Sequence, residues 1–130
     1  MRDESQHVVD ALHKIVGQPE HDENQIARYF SPAYQQVVDG KLLDYRGFVE
    51  HMALLKSLTK AMTVIVLAIA AEGGTVFTHH HVRVEKQKGQ QSEIEVLARF
   101  TLSAGLIVRC DELTRLVSGA HDDHDLGSRR

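Results

Sequence analysis

Cysteine is almost absent from this chain: Cys110 stands alone among 130 residues. No intrachain disulfide can form, and nothing ties the protein to an oxidising compartment. Basic clusters are absent too. Lys and Arg are scattered, only Arg129 and Arg130 fall side by side, and the formal net charge is −3 with a pI near 6.3. Phosphate recognition needs a basic stripe, so nucleic acid is not an expected partner. Long apolar runs are also missing. The longest, residues 62–71, falls well short of the about 20 residues that span a bilayer. The polar start Met1-Arg2-Asp3-Glu4-Ser5 leads straight into an amphipathic segment, which reads as no signal peptide. Together these absences predict a cytoplasmic protein without membrane association.

What is present is ordinary globular composition, 42% hydrophobic and 25% charged, in a chain long enough for one core. The first half reads as helical. Over residues 3–16, Val8, Leu12, Ile15 and Val16 share a face, and Gly17 stops the helix before Pro19. A second helix is expected over 23–30, capped by Asp22 and ended by Ser31-Pro32. A short strand fits 34–38, with Asp39-Gly40 as its turn. Asp44 then caps a third helix over 45–60, which buries Phe48, Val49, Met52 and Leu55 and carries His51 on the same side.

The second half changes character. Residues 62–71, 75–86, 93–102 and 106–117 are four strands separated by tight-turn signals, so an antiparallel meander is predicted. Helices first and strands afterwards is α+β organisation. The reading is one domain over 1–118, followed by a polar tail over 119–130 that lies on the surface or is ordered by a partner.

Side chains alternate across a strand, which divides each one into two sets. Val76, Thr78, His80, Val82 and Val84 form one set, and Ile94, Val96, Ala98, Phe100 and Leu102 another. Leu106, Val108, Cys110, Glu112 and Thr114 form a third, and all three are expected to pack on the helices. His80, Glu112 and Thr78 are then polar groups embedded in an apolar face. Such groups must be paired or must line a cavity. The opposite face mixes Leu97, Thr101, Ile107 and Leu113 with Arg and Glu, a pattern that a sheet-to-sheet homodimer explains.

His80 with Glu112 is the leading candidate pair: a carboxylate beside an imidazole raises its pKa and fixes its tautomer, which suits a general base or a ligand-orienting pair. The plainer alternative is a structural His–Glu hydrogen bond. His79, His80 and His81 suggest metal at first sight, but His79 and His81 share one face while His80 points away. Spacing fixes no third ligand, so surface histidines on the dimer face are expected and no metal site is assigned. His51 can reach the pocket from the helical face. Tyr34, like Tyr29, offers a hydroxyl to a ligand or serves as a core residue with its hydroxyl at the rim. Cys110 shares the pocket-facing set and reads as a small buried hydrophobe. The run His121-Asp122-Asp123-His124-Asp125 lacks a calcium-loop pattern and reads as solvated.

The helix-then-sheet order resembles the SnoaL-like branch of the nuclear transport factor 2-like superfamily. So do the phrase Tyr34-Gln35-Gln36-Val37-Val38-Asp39-Gly40-Lys41 leading to Asp44 and Phe48-Val49-Glu50-His51, and the ending from Gly105 to Arg115. Asp125-Leu126-Gly127-Ser128-Arg129 is similar to endings of bacterial members. The resemblance covers nearly the whole chain. It implies a cone: three N-terminal helices on a curved, mostly antiparallel sheet that encloses a pocket, in a dimer formed through the sheet. Members include ketosteroid isomerases, polyketide cyclases, epoxide hydrolases, dehydratases and binding subunits. The resemblance further implies that His80 and Glu112 sit where members place pocket polar groups. The isomerase set of an aspartate base with Tyr and Asp donors has no counterpart here, nor has the epoxide-hydrolase Asp-Arg-Asp set.

Two functions follow as expectations. One is a domain that binds an apolar small molecule in the cone, with Tyr34, His51, Thr78 and Cys110 as ligand contacts. The other is an isomerase, cyclase, dehydratase or hydrolase that uses His80 and Glu112 in acid–base chemistry and needs no cofactor.

Overall fold

The computed structural model describes residues 3–120, 123 and 125–129. His121, Asp122 and His124 of the acidic-histidine run, and Arg130 of the terminal arginine pair, lie outside the described residues.

Each helix starts where a side chain can satisfy its orphan amides. Asp3 accepts from Gln6 N at 2.8 Å and opens α1 (Glu4–Ala11), which widens into a π-helical turn, Leu12–Val16, before Gly17. Asp22 caps α2 (Glu23–Tyr29), accepting from the amides of Asn24 and Gln25. Asp44 accepts from Gly47 N at 2.7 Å and starts α3 (Tyr45–Leu58). α3 stops earlier than the apolar periodicity suggests: Thr59 is already extended, and its hydroxyl turns back to the Leu55 carbonyl at 2.7 Å. β-branched residues then carry the chain directly into a strand.

Six strands form one sheet in the order β2-β1-β6-β5-β4-β3. They are β1 (Phe30–Val38), β2 (Lys41–Asp44), β3 (Thr59–Glu72), β4 (Thr75–Lys86), β5 (Gln91–Ser103) and β6 (Leu106–Ser118). β3 to β6 form the expected antiparallel meander, whereas β1 pairs with β6 in parallel. β1 and β2 make a hairpin at Asp39-Gly40, whose φ values of 50° and 84° suit the twist of a type I′ turn. β1 begins four residues before the expected strand, passing through Ser31-Pro32. Proline is tolerated there because ladder pairing to β6 lapses between Phe30 and Gln35. The architecture is therefore α+β, with the helices gathered on one face of a mostly antiparallel sheet.

Register shifts in β1, β3 and β6 mark bulges that bend the sheet. One of them corrects the face assignment at the start of β6. Thr101 opposes Arg109 while Leu102 opposes Ile107, so Val108 is the extra residue. Ile107 turns inward and becomes fully buried, against the expectation that placed it on the outer face. Beyond the bulge Cys110, Glu112 and Thr114 face inward as expected. The core joins α1, α2 and α3 to this inner face, with Val8, Ile26, Phe48, Val76, Phe100 and Ile107 at its centre.

The tail also departs from its expected surface position. Gly119, at φ +125°, turns the chain where any Cβ would strike Ser92. Asp123 is buried and accepts from Lys86 Nζ at 2.6 Å and from Ser92 Oγ. Leu126 enters the core at 3% exposure. The buried Leu126 and the Asp123 carboxylate, which accepts two hydrogen bonds, both hold the segment against the domain. No helix among the described residues is long and apolar enough to cross a membrane.

Candidate functional site

A cavity of about 90 Å³ lies between the inner sheet face and α3. Met52, Leu55, Val96 and Met62 supply its apolar wall, Leu126 and Gly127 close it, and Gln36, His51, His80, Glu112 and Thr114 are its polar members. The outer face carries a larger, open groove of about 720 Å³ beside Phe77, Leu97 and Leu113. Size alone favours the groove, but the inner cavity is less open and is lined by the buried His51 and His80.

His80 projects from β4 and is 2% exposed. Its Nδ1 stands 2.9 Å from Thr78 Oγ1, which leaves Nε2 to meet a ligand. Burial pushes its pKa down to about 4, helped by the nearby His79 and His81. At neutral pH it is therefore a neutral imidazole. Glu112 on β6 moves the other way. Its low-polarity surroundings push its pKa up to about 7, opposed by the Cys110 thiol, which donates to Oε1 at 3.4 Å, and aided by the charge of Asp39.

The expected hydrogen-bonded His80–Glu112 pair does not form. In the ladder Glu112 aligns with Thr78 across Ala98, whereas His80 aligns with Thr114 across Val96. The two are one step out of register with a whole strand between them, so the carboxylate does not raise the pKa of His80. They share a cavity as independent groups.

His51 on α3 reaches the cavity as expected. It is buried, and its Nδ1 donates to the Arg129 carbonyl at 2.6 Å, tying the tail to the helix. Burial lowers its pKa, against the pull of that carbonyl. Thr78 supports His80 from behind and is not among the lining residues. Tyr34 lies in an aromatic cluster with Phe30 and Phe48, at ring separations of 4.7 and 5.0 Å. Its hydroxyl donates to Gln36 Oε1 at 2.8 Å, so it meets the cavity only through Gln36. Cys110 is fully buried beneath Glu112 and reaches the cavity through that carboxylate. Burial, reinforced by Glu112, pushes its thiol well up, so it is no nucleophile.

Gln36 is the polar lining residue that sequence reasoning passed over. It is 4% exposed and sits between the buried Tyr34 and Val38 on one strand face. A buried amide at an alternating apolar position was the available signal.

No protein-family profile matches the chain. An uncharacterized protein of the fission yeast Schizosaccharomyces pombe is 28% identical over 98% of both chains. That relative gives no support to the bacterial origin suggested by the tail. Similar solved structures include SnoaL-like polyketide cyclases and an LEH-like epoxide hydrolase. IdmH of Streptomyces antibioticus, assigned by name as a polyketide cyclase, superposes with a TM-score of 0.72 at 15% identity, covering 97% of this chain and 98% of its own. The LEH-like epoxide hydrolase of M. tuberculosis gives 0.72 at 13%, covering 85% and 81%. At such identities the likeness is one of fold alone, an α+β arrangement consistent with the nuclear transport factor 2-like cone.

Proposed function

We propose that this protein binds a small, mainly apolar molecule inside the cone, holding its polar end with Gln36, His80 and Glu112. The observation that carries the reading is a mainly apolar cavity, less open than the outer groove, in which burial drives His80, Glu112 and His51 toward their neutral forms. Such a site disfavours anionic ligands and can donate to a carbonyl or accept from a hydroxyl. A volume of about 90 Å³ holds a ligand of a few heavy atoms, since one water alone takes about 30 Å³. A larger ligand enters if Leu126 and Gly127 lift away, because they form the wall that belongs to no helix or strand. The lone thiol fits a reducing compartment, and the reading places the protein in the cytoplasm.

Glu112 favours a second reading. A carboxyl with a pKa of about 7 is half ionised at neutral pH, the condition for a general base or acid. It would take a proton from substrate while neutral His80 donates to the oxygen on which charge develops. Isomerase, cyclase, dehydratase or hydrolase chemistry fits such a pair without a cofactor. One experiment separates the readings. Small hydroxy, carbonyl and epoxide compounds are added to the protein while methyl and histidine NMR signals are followed. Binding shifts Met52 and His80 and returns the compound unaltered; catalysis consumes it, with a rate that rises through pH 7 and is lost in Glu112→Gln. Shifts confined to the outer face would overturn both.

The outer face is assigned to a second copy of this chain. Phe77, Leu97 and Leu113 are each about half exposed or more, and Arg99 and Asp111 lie among them as a pair. A twofold axis can place such a patch against itself. Sedimentation is expected to give a dimer for the wild type and a monomer for Leu97→Asp.

A further inference from the structure

The outer face brings together a ligand set that strand spacing alone could not reveal. His79 and His81, two residues apart on β4, share that face, and the β4–β5 ladder sets Glu95 opposite His81. The ligand atoms of His79, His81 and Glu95 all lie within 4.8 Å of one another. We propose that these three side chains bind one divalent transition-metal ion of the zinc class, through His79 Nε2, His81 Nε2 and Glu95 Oε2.

Distances support a single shared ion. Glu95 Oε2 stands 2.7 Å from His79 Nε2 and 3.6 Å from His81 Nε2. Two ligand atoms bound to one tetrahedral ion at about 2.0–2.1 Å lie about 3.3 Å apart, a value that these two separations bracket. Small side-chain rotations would open the short contact and close the long one. In the single chain the side chains are 35%, 20% and 27% exposed, so an ion can reach them there without any strand moving. Because His79 borders the groove given to a second copy, the titration is read on the Leu97→Asp monomer as well.

Glu93 holds His81 Nε2 in the state that a metal requires, whereas His79 Nε2 donates to Glu95 Oε2 and exchanges that proton for the ion by moving it to Nδ1 or to solvent. Glu93 Oε2 lies 3.0 Å from His81 Nδ1 and accepts its proton, so that Nε2 is left with its lone pair. A carboxylate behind a ligating imidazole is the usual outer-shell arrangement. Arg115 Nε donates to Glu95 Oε1 at 3.0 Å, and Arg83 Nε to Glu93 Oε1 at 2.8 Å. These contacts occupy the distal oxygens and leave Oε2 of each carboxylate directed at the histidines. Two imidazoles and one carboxylate are too nitrogen-rich for calcium or magnesium and suit zinc, cobalt, nickel or iron(II). Three protein ligands leave at least one position for water or substrate, as in catalytic and not structural sites.

The test is titration of metal-free full-length protein with Co²⁺, read by its visible absorption, and with Zn²⁺, read by calorimetry. One ion per chain is expected, with the cobalt bands of a four- or five-coordinate nitrogen–oxygen site. His79→Ala, His81→Ala and Glu95→Gln should each weaken binding at least tenfold. Glu93→Gln should weaken it about 10–100-fold while keeping the stoichiometry, as an outer-shell partner does. Circular dichroism checks that the variants stay folded, which their surface position favours. Absence of cobalt bands overturns the proposal and leaves an ion-pair ladder; binding that survives His79→Ala/His81→Ala overturns it by placing the ion elsewhere.

Discussion

The inner and outer faces of the sheet put the same residue types to opposite chemical use. His80 points inward and has its pKa driven down to about 4, while its chain neighbours His79 and His81 point outward and meet carboxylates. Glu112 inside is raised to about 7. Glu95 outside is lowered to about 2, first by the hydrogen bond from His79 and then by that from Arg115. One residue of displacement along a pleated strand therefore exchanges a site dominated by desolvation for one dominated by hydrogen bonds and opposite charge. A group meant to switch protonation near neutrality belongs on the inner face, and a group meant to hold a fixed charge belongs outside.

The sharpest way to break this contrast is to place the same charge at adjacent positions. Val96 is 5% exposed and Leu97 is 52% exposed. Val96→Asp is expected to cost about 4 kcal/mol or more, because an unpaired carboxylate would be stripped of water. Leu97→Asp should leave the folded chain intact and act on dimerisation alone. Urea denaturation followed by circular dichroism reads both. Equal losses at the two positions would mean that the faces are not distinct environments.

The next effect is smaller and depends on pH. The folded-state pKa of Glu112 lies above its ordinary value of 4.5, so its stabilising contribution is complete below pH 4.5 and is lost as pH rises through about 7. His80 does the reverse: its pKa lies below the ordinary 6.5, so its contribution is complete above pH 6.5 and is lost as pH falls through about 4. Each displacement is worth on the order of 3 kcal/mol. Between pH 4.5 and 6.5 the two slopes oppose one another and nearly cancel in the wild type. Removing either group should expose the other. Glu112→Gln is expected to gain stability as pH rises from 4 to 6.5, and His80→Gln to lose it from 4.5 to 7. Urea midpoints at four pH values between 4 and 8 measure this. Two variants with the same slope as the wild type would show that neither group is held neutral by the fold.

This balance also shows which parts of the site were legible before any coordinates. Alternation along β4 and β5 was enough to put His80 inside, because every partner on those strands keeps strict register. It failed at Ile107, where a bulge adds one residue and reverses the faces, and no side-chain pattern marks that insertion. It also could not show that His80 and Glu112 miss each other. Contact between strands depends on register, and the intervening β5 sets that register through turns at both of its ends. The third ligand beside His79 and His81 was hidden for the same reason, since Glu95 is 14 or 16 positions away in sequence and adjacent only across the ladder. The tail misled through its polarity: Leu126 is one apolar residue in a charged segment, and its burial rests on Asp123 meeting Lys86 and Ser92. The fold followed from local patterns, whereas the site depends on pairings between strands.

The smallest expected effect tests the outer face from its own side. Arg99 Nη2 lies 3.1 Å from Asp111 Oδ2, yet Asp111 also receives Nε and Nη2 of Arg109. Arg99 is about half exposed, so water takes over its hydrogen bonds when the partner is lost. Arg99→Ala should therefore change the stability of the dilute, monomeric chain by no more than about 0.5 kcal/mol. Raising the salt concentration should erase even that difference, because exposed charges are screened within about 10 Å at 0.1 M. The pH slopes of Glu112 and His80 should survive the same salt, since desolvation and not a distant counter-charge causes them. A large, salt-resistant loss in Arg99→Ala at low protein concentration would mean that the outer face is buried within the single chain. The same loss appearing only at high concentration would instead locate Arg99 in the contact between two copies.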